Sequence, residues 1–90
     1  MKVVLNICYG GFSLPEEFCK KYNLAWYSDI KRTDPRLITF VEENPELCQH
    51  FNFASLTVVE IPENVTDWQI HDYDGMESII AVINGKIVWL

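Results

Sequence analysis

Basic residues are scarce in this 90-residue sequence, and almost all of them lie near its beginning. Residues 1–36 carry six basic and four acidic side chains, whereas residues 37–90 carry nine acidic side chains and a single basic one, Lys86. The formal net charge is −6. Nucleic-acid binding by neutralisation of phosphates needs clusters of lysine and arginine, so we expect no direct nucleic-acid partner.

Long apolar runs are missing as well, because no stretch approaches the roughly 20 residues that a transmembrane helix needs. The sequence therefore predicts no membrane partner. The cysteines Cys8, Cys19 and Cys48 are an odd number without repeated spacing, and no signal-peptide pattern precedes Val3. We therefore expect free thiols and a cytoplasmic location.

Signatures of catalysis and of metal binding are weak. Cys48 and His50 form one close Cys/His pair, but no second pair at zinc-ligand spacing accompanies it. Cys8 with His50 or His71 would make a catalytic dyad only if the fold brought them together, and a cysteine that closes an apolar strand more often packs in a core. The sequence predicts no cofactor, no metal site and no catalytic residues, and a small enzyme is the third hypothesis.

Glycine and proline are few, with four of each, in a composition that is 49% hydrophobic. Such a chain has enough apolar surface to fold, so we expect a single domain over residues 1–90. The apolar run VVLNIC at residues 3–8 predicts a buried strand.

Two helix starts follow this strand. Ser13 and Glu16 have the spacing of a capping box and predict a helix over residues 14–22. Asp34, which is followed by proline, has the pattern of an N-cap before the first helical residue. The two helices are expected to bury one face each.

From residue 56 the hydrophobic period becomes that of strands. The segments LTVVEIP and DWQIHDY predict two strands, Asp74-Gly75 predicts a turn, and SIIAVI-NG-KIVWL predicts a type I′ hairpin. The order of elements predicts an α+β fold with an antiparallel-rich sheet of four or five strands and two helices on one face. Apolar side chains alternate on both faces of residues 79–90, so we expect either a second layer or another subunit, in a homo-oligomer, to cover them.

The stretch CYGGFSLPEE at residues 8–17 places a glycine pair between a strand and a helix start. This pattern favours either a tight turn that only glycine can make or a cradle of backbone N–H groups for an anion. Five of the seven basic residues lie within residues 20–36, where arginine side chains would either bind a phosphate or form a solvated rim. The candidate ligand-binding residues for a nucleotide-like anion are Tyr9, Gly10, Gly11, Phe12, Ser13, Lys31, Arg32 and Arg36.

The acidic second half of the chain also has two interpretations. It is either a solvated surface that keeps the protein soluble or a face that binds a basic protein partner by electrostatic complementarity. The candidate partner-binding residues are Glu60, Glu63, Asp67, Asp72, Asp74 and Glu77.

Three segments resemble, in order, a family of small proteins encoded by bacteriophages and prophages: VVLNICYGGFSL, DPRLITFVEE and LTVVEIPENVTDWQIHDYDGMES. The CYGGF motif and the VVEIP…YDG block carry the resemblance, which covers residues 3–78. Pro45, in the expected second helix, and the apolar tail NGKIVWL depart from the family pattern.

The resemblance implies a protein that acts in the bacterial cytoplasm during infection or lysogeny, and it carries over no catalytic residue. Small accessory phage proteins often bind and block host factors, including antiviral defence components, or sequester their nucleotide signals. The leading hypothesis is therefore a non-catalytic counter-defence inhibitor that binds a host protein through its acidic face. The alternative is a binder of a nucleotide-like signal molecule at the glycine turn and the helix starts.

Overall fold

The apolar run near the beginning of the chain forms a buried strand in the computed structural model, which describes residues 1–25, 28–49 and 54–90. In chain order the elements are β1 (Lys2–Asn6), α1 (Glu16–Tyr22), α2 (Pro35–Glu43), a 3-10 turn (Pro45–Cys48), β2 (Leu56–Glu60), β3 (Val65–Tyr73), β4 (Met76–Ile83) and β5 (Lys86–Trp89). The predicted α+β class, with antiparallel strands and two helices, is confirmed. Within the described ranges, no helix is long and apolar enough to cross a membrane.

The strands divide into two antiparallel sheets that stack on each other. β1 pairs with β2, and β4 pairs with β3 on one side and with β5 on the other. Because successive side chains of a strand point to opposite faces, β1 contributes to two cores. Val4 packs towards the helices with Phe18 and Leu37, whereas Val3 packs towards the second sheet with Ile79. The β1–β2 sheet is therefore the middle of three layers.

The first helix begins later than the sequence predicts. Leu14 precedes Pro15, and the residue before a proline is driven away from helical geometry. Pro15 has φ −59° and ψ 142°, so the helix begins only at Glu16. The predicted capping box is wrong, because no side chain caps α1 and the buried Ser13 Oγ has no hydrogen-bond partner among the described residues.

The second helix begins where the sequence predicts. Asp34 Oδ1 accepts a hydrogen bond of 2.9 Å from the backbone N–H of Arg36, and Pro35 is the first helical residue. The helix ends at Glu43, and a single 3-10 turn begins at Pro45. Proline thus both starts and stops this helical region.

Both predicted turns in the second sheet are present. Asp74 and Gly75 connect β3 to β4 with φ values of 52° and 87°, and Asn84 and Gly85 connect β4 to β5 with φ values of 52° and 76°. Two successive positive φ values define the type I′ turn, which matches the twist of the strands that it joins.

The second sheet presents one face to the core and one face away from it. Residues that oppose each other across antiparallel strands share a face. Trp68, Ile70, Ile79, Ala81 and Val88 lie on the inner face, which packs on the β1–β2 sheet. The remaining residues form what we call the outer face: Asp67, Gln69, His71 and Tyr73 of β3, Met76, Ser78, Ile80 and Val82 of β4, and Ile87 and Trp89 of β5.

Candidate functional site

The CYGGF motif and the YDG sequence meet in the fold, in what we call the turn junction, residues 8–12 and 73–77. The backbone N–H of Gly10 donates a hydrogen bond of 3.0 Å to the carbonyl oxygen of Asp74. A Cβ atom at Gly75 would overlap the backbone nitrogen of Gly11 and lie 2.7 Å from that of Gly10. Gly10 and Gly11 have φ values of 136° and 107°, so the predicted backbone role of the glycine pair is confirmed.

Asn6, the last residue of β1, stabilises the turn junction through the hydrogen bonds of its side chain. Its side chain is fully buried, and Nδ2 donates hydrogen bonds to the carbonyl oxygens of Cys8, at 2.8 Å, and Gly75, at 2.6 Å. Its Oδ1 accepts a hydrogen bond of 2.9 Å from the backbone N–H of Ser55. One amide therefore ties three separate segments of the chain together.

Glu77 and Arg32 form a paired ionic contact beside Asn6. The two terminal nitrogens of Arg32 donate to the two carboxylate oxygens of Glu77 at 2.5 and 2.7 Å. The backbone N–H of Asn6 donates to the same carboxylate at 2.8 Å. The side chains of Arg32 and Glu77 are 22% and 5% exposed, and the ring of Phe12 lies 3.6 Å from the guanidinium carbon. The pair is largely shielded from water.

The predicted anion site is only partly assembled. Arg32 lies beside the glycine turn, but its charge is neutralised by Glu77. Arg36 pairs with Asp34 at 2.8 Å, and this guanidinium holds the pKa of the Asp34 carboxyl below its usual range. Lys31 is exposed. The two arginines already have carboxylate partners, so an added phosphate would have to compete with both carboxylates.

The other residues of the predicted anion site have different environments. Tyr9 is 59% exposed at the edge of the junction, whereas Phe12 packs against the helix-side core. Ser13 is buried. The helix that follows has seven residues and no side-chain cap. The turn is thus held by glycine geometry and by the packing of Phe12, as the turn interpretation predicts, but without the capping box of Ser13 and Glu16 that this interpretation included.

The predicted acidic face is exposed at five of its six positions. Glu60 forms an exposed ion pair with the N-terminal amine, at 3.3 Å. Glu77 is the exception, because its buried carboxylate pairs with Arg32, and its expected place on an accessible face is wrong. The exposed members are Glu60, Glu63, Asp67, Asp72 and Asp74.

The outer face of the second sheet is open, and its large apolar side chains are exposed. Ile87, Trp89 and Tyr73 are 72%, 61% and 66% exposed, and Met76 is 39% exposed. His71 packs edge-on against the ring of Trp89, with centroids 5.2 Å apart. No element within residues 1–25, 28–49 and 54–90 covers this face, because both helices lie on the far side of the β1–β2 sheet.

Two of the three cysteines, Cys19 and Cys48, are buried in the core. Burial raises the pKa of the Cys19 thiol, and it raises the pKa of Cys48 to about 11, so both stay protonated at neutral pH. All three cysteines are free, and Cys8 is half-buried. His50 lies outside the described residues, and His71 belongs to the outer face. The part of the chain that the structure describes contains no group of three metal-ligating side chains.

Comparison with known proteins gives no relative. No family model matches the chain, and neither a curated protein nor a solved structure is significantly similar to it. The surfaces of this chain that could carry a function are the turn junction and the outer face.

Sequence reasoning missed the polar contacts inside the turn junction. The signal that was present is Asn6, a single amide within the apolar run VVLNIC. A buried polar side chain needs hydrogen-bond partners, so this residue marks a point where other backbone segments must converge. The pairing of Arg32 with Glu77 has no local signal, because the two residues are 45 positions apart.

Proposed function

We propose that this chain is a non-catalytic protein-binding domain that blocks a protein partner by covering it with the outer face. The observation that carries the proposal is the exposure of Ile87, Trp89 and Tyr73 on one continuous sheet face. Aromatic and large aliphatic side chains are the residues that dominate binding energy at protein interfaces. An exposed apolar face of this kind marks a site of association.

The charges around the outer face favour a basic partner. Glu63 and Asp67 are exposed near the beginning of β3, and Asp72 and Asp74 are exposed near its end. Asp67 belongs to the outer face, and Glu63 and Asp74 lie just beyond the two ends of β3, so these three carboxylates border the face on its β3 side. Asp72 shares the opposite side of the sheet with Glu77. A partner with an apolar patch beside lysine and arginine side chains would match both features, and the acidic border would accelerate its encounter with this chain.

The resemblance to small phage and prophage proteins supports a bacterial host protein as the partner. A host protein that uses a basic surface to hold nucleic acid would lose that function when the outer face covers the surface. The turn junction has a supporting role in this proposal. Beside the junction, the Arg32–Glu77 pair and Asn6 fix β4 against β1, so the outer face is held as a rigid surface.

The test compares partner capture by the wild-type chain with capture by matched variants. Bacterial lysate is passed over each immobilised protein, and bound proteins are quantified by mass spectrometry. Tyr73→Thr and Ile80→Thr remove apolar groups from the outer face and keep a residue that favours strands. Leu47→Thr, on the 3-10 turn outside the outer face, is the control, because Leu47 is exposed by 41%.

We expect one partner that the wild type and Leu47→Thr both enrich and that the two outer-face variants lose. The dissociation constant measured with that purified partner should rise about tenfold or more in Tyr73→Thr, because large aromatic side chains dominate the binding energy of protein interfaces. Asp67→Asn keeps the hydrogen bond to the N–H of Trp68 and should slow association at low salt. Equal capture by the wild type and both outer-face variants would overturn the proposal.

The alternative ligand, a nucleotide-like anion at the glycine turn, has a separate readout. A ligand that binds the folded state raises the melting temperature by mass action. A panel of nucleotides that leaves the melting temperature unchanged is the expected result, since Arg32 and Arg36 already have carboxylate partners.

A further inference from the structure

The edge strand β5 has one open side. β4 occupies its other side, and no strand of the described residues pairs with the open side. An unpaired strand edge presents a row of backbone N–H and C=O groups to which another strand can bond. The chemistry of this edge therefore depends on which backbone groups point outwards.

The register of the hairpin defines those groups. Ile83 and Lys86 flank the two-residue turn, and in such hairpins the flanking pair exchanges hydrogen bonds. Bonded and non-bonded pairs then alternate along the strands, which agrees with the hydrogen bond of 3.0 Å from the N–H of Leu90 to the carbonyl of Ile79. Ile87 and Trp89 consequently direct their N–H and C=O groups towards the open side.

The two edges of this sheet differ in their protection. β3, the other edge, has a register irregularity between Val65 and Asp67 and two exposed acidic side chains, Asp67 and Asp72. Bulges and charges of this kind prevent strand addition in natural sheets. β5 has only Lys86 at its first position, and residues 78–90 contain no acidic side chain. Two copies of a chain with net charge −6 would repel each other least along this segment.

We infer that β5 pairs with β5 of a second copy, in an antiparallel register with Val88 on the two-fold axis. In this register Ile87 of one copy opposes Trp89 of the other, and both residues offer outward backbone groups. The four backbone hydrogen bonds and the two Ile87–Trp89 contacts are symmetric, as a closed dimer requires. The two three-stranded sheets become one sheet of six strands.

This dimer goes beyond the proposed function and does not require it. If the outer face binds a partner, the dimer offers two adjoining outer faces and so increases the affinity for a partner with repeated sites. If the outer face binds nothing, the edge pairing is unaffected. Self-association measured on the purified chain alone is therefore independent of the capture experiment.

The first measurement is the mass in solution by light scattering over a series of concentrations. We expect a mass of about twice the 10.5 kDa of a single chain at the highest concentrations. On dilution the mass should fall towards that of the single chain. Ile87→Pro removes one outward N–H without removing a bond to β4, a position where an edge strand tolerates proline. This variant should be monomeric, whereas Leu47→Thr should dimerise like the wild type.

A disulfide experiment tests the register. Opposed non-bonded residues of antiparallel strands have Cα atoms about 4.5 Å apart, within the range that a disulfide spans, so Val88→Cys should link two copies across the axis. Ile87→Cys is the matched control, because its equivalent in the second copy lies diagonally, roughly 7–8 Å away. Both variants carry Cys8→Ser, which removes the half-buried native thiol.

The expected result is a covalent dimer of Val88→Cys under mild oxidation and little or none of Ile87→Cys. Ile87→Lys is a second variant for the case in which Ile87→Pro does not fold. The side chain of Ile87 is 72% exposed, so lysine fits there, and this variant should also be monomeric. A wild-type chain that stays at 10.5 kDa at every concentration would overturn the inference. So would equal cross-linking of the two cysteine variants, since that result requires a different contact.

Discussion

Arg32 and Glu77 are 45 positions apart in the sequence, and their side chains meet end to end, with nitrogen–oxygen distances of 2.5 and 2.7 Å. The pair joins the segment that precedes α2 to the beginning of β4. Arg32 also accepts a hydrogen bond of 2.9 Å at its backbone carbonyl from the N–H of Val4. One residue thus fixes both sheets to the connection between the helices.

Loss of one partner of this pair should destabilise the fold strongly. Arg32→Met leaves the carboxylate of Glu77 buried without its counter-charge, which costs about 3–5 kcal/mol in comparable cases. The free energy of unfolding from urea titrations is the measurement. Lys20→Met is the control, because its ion pair with Glu16 is exposed and such pairs contribute about 0–1 kcal/mol. Equal losses in the two variants would contradict this assignment.

Alanine at Gly75 should cost more than alanine at the equivalent position of the other hairpin. Both Gly75 and Gly85 have positive φ, so each substitution carries the cost of left-handed geometry, about 1–2 kcal/mol. A Cβ at Gly85 meets nothing within 4 Å, whereas at Gly75 it overlaps the backbone of Gly11. We expect an additional loss of about 1–3 kcal/mol for Gly75→Ala from this crowding. Thermal unfolding of the two variants tests this difference. Equal losses of stability would show that a Cβ atom at Gly75 is not crowded by the turn junction.

Replacement of Asn6 by the isosteric aspartate should lower the free energy of unfolding. Asn6→Asp removes both donors to the carbonyls of Cys8 and Gly75 and places a carboxylate next to Glu77. A buried polar group left without its partner costs about 1–3 kcal/mol, and more if it is charged. Asn64→Asp, at an exposed turn position, is the matched control and should change the free energy of unfolding by less than about 0.5 kcal/mol. A stable Asn6→Asp variant would show that the buried amide is not required.

The buried thiol of Cys48 should make stability fall in alkaline solution. Its pKa is raised from 9.0 to about 11 by burial, so between these values the unfolded chain releases a proton that the folded chain keeps. The stabilising contribution is complete below pH 9 and decreases as the pH rises towards 11. The slope of unfolding free energy against pH should be shallower in Cys48→Ala. At neutral pH, alkylation of the native protein should modify Cys8 and leave Cys19 and Cys48 intact until denaturant is added.

Much of the fold could be predicted because its signals are local. Asp34 before Pro35, Asp74-Gly75 and Asn84-Gly85 each require specific backbone geometry within two residues, and each is present as expected. The division of the strands into two sheets has no local signal. It follows from β1, which is apolar on both faces and therefore needs a layer on each side.

Less of the candidate site than of the fold could be predicted from the sequence. Ser13 and Glu16 have the spacing of a capping box, but Leu14 stands before Pro15 and cannot readily become helical, so the local rule for proline prevailed over the pattern. Glu77 was grouped with exposed carboxylates because composition does not show which of them has a distant arginine partner. The two-sided apolar pattern of residues 79–90 predicts a cover on both faces, by a second layer or by another subunit. Within the described residues only the inner face is covered, and Ile87 and Trp89 stay exposed.

The position of β1 between two layers has a consequence for the order of events in biosynthesis. β1 is made before β2, its strand partner among the described residues, whose last residue, Glu60, accepts a hydrogen bond from the amine of Met1, 59 positions earlier. The apolar strand therefore leaves the ribosome well before anything can pair with it. Distant pairing of this kind slows folding and leaves the nascent chain open to aggregation. A chaperone that shields β1 until β2 has emerged would raise the yield of folded protein.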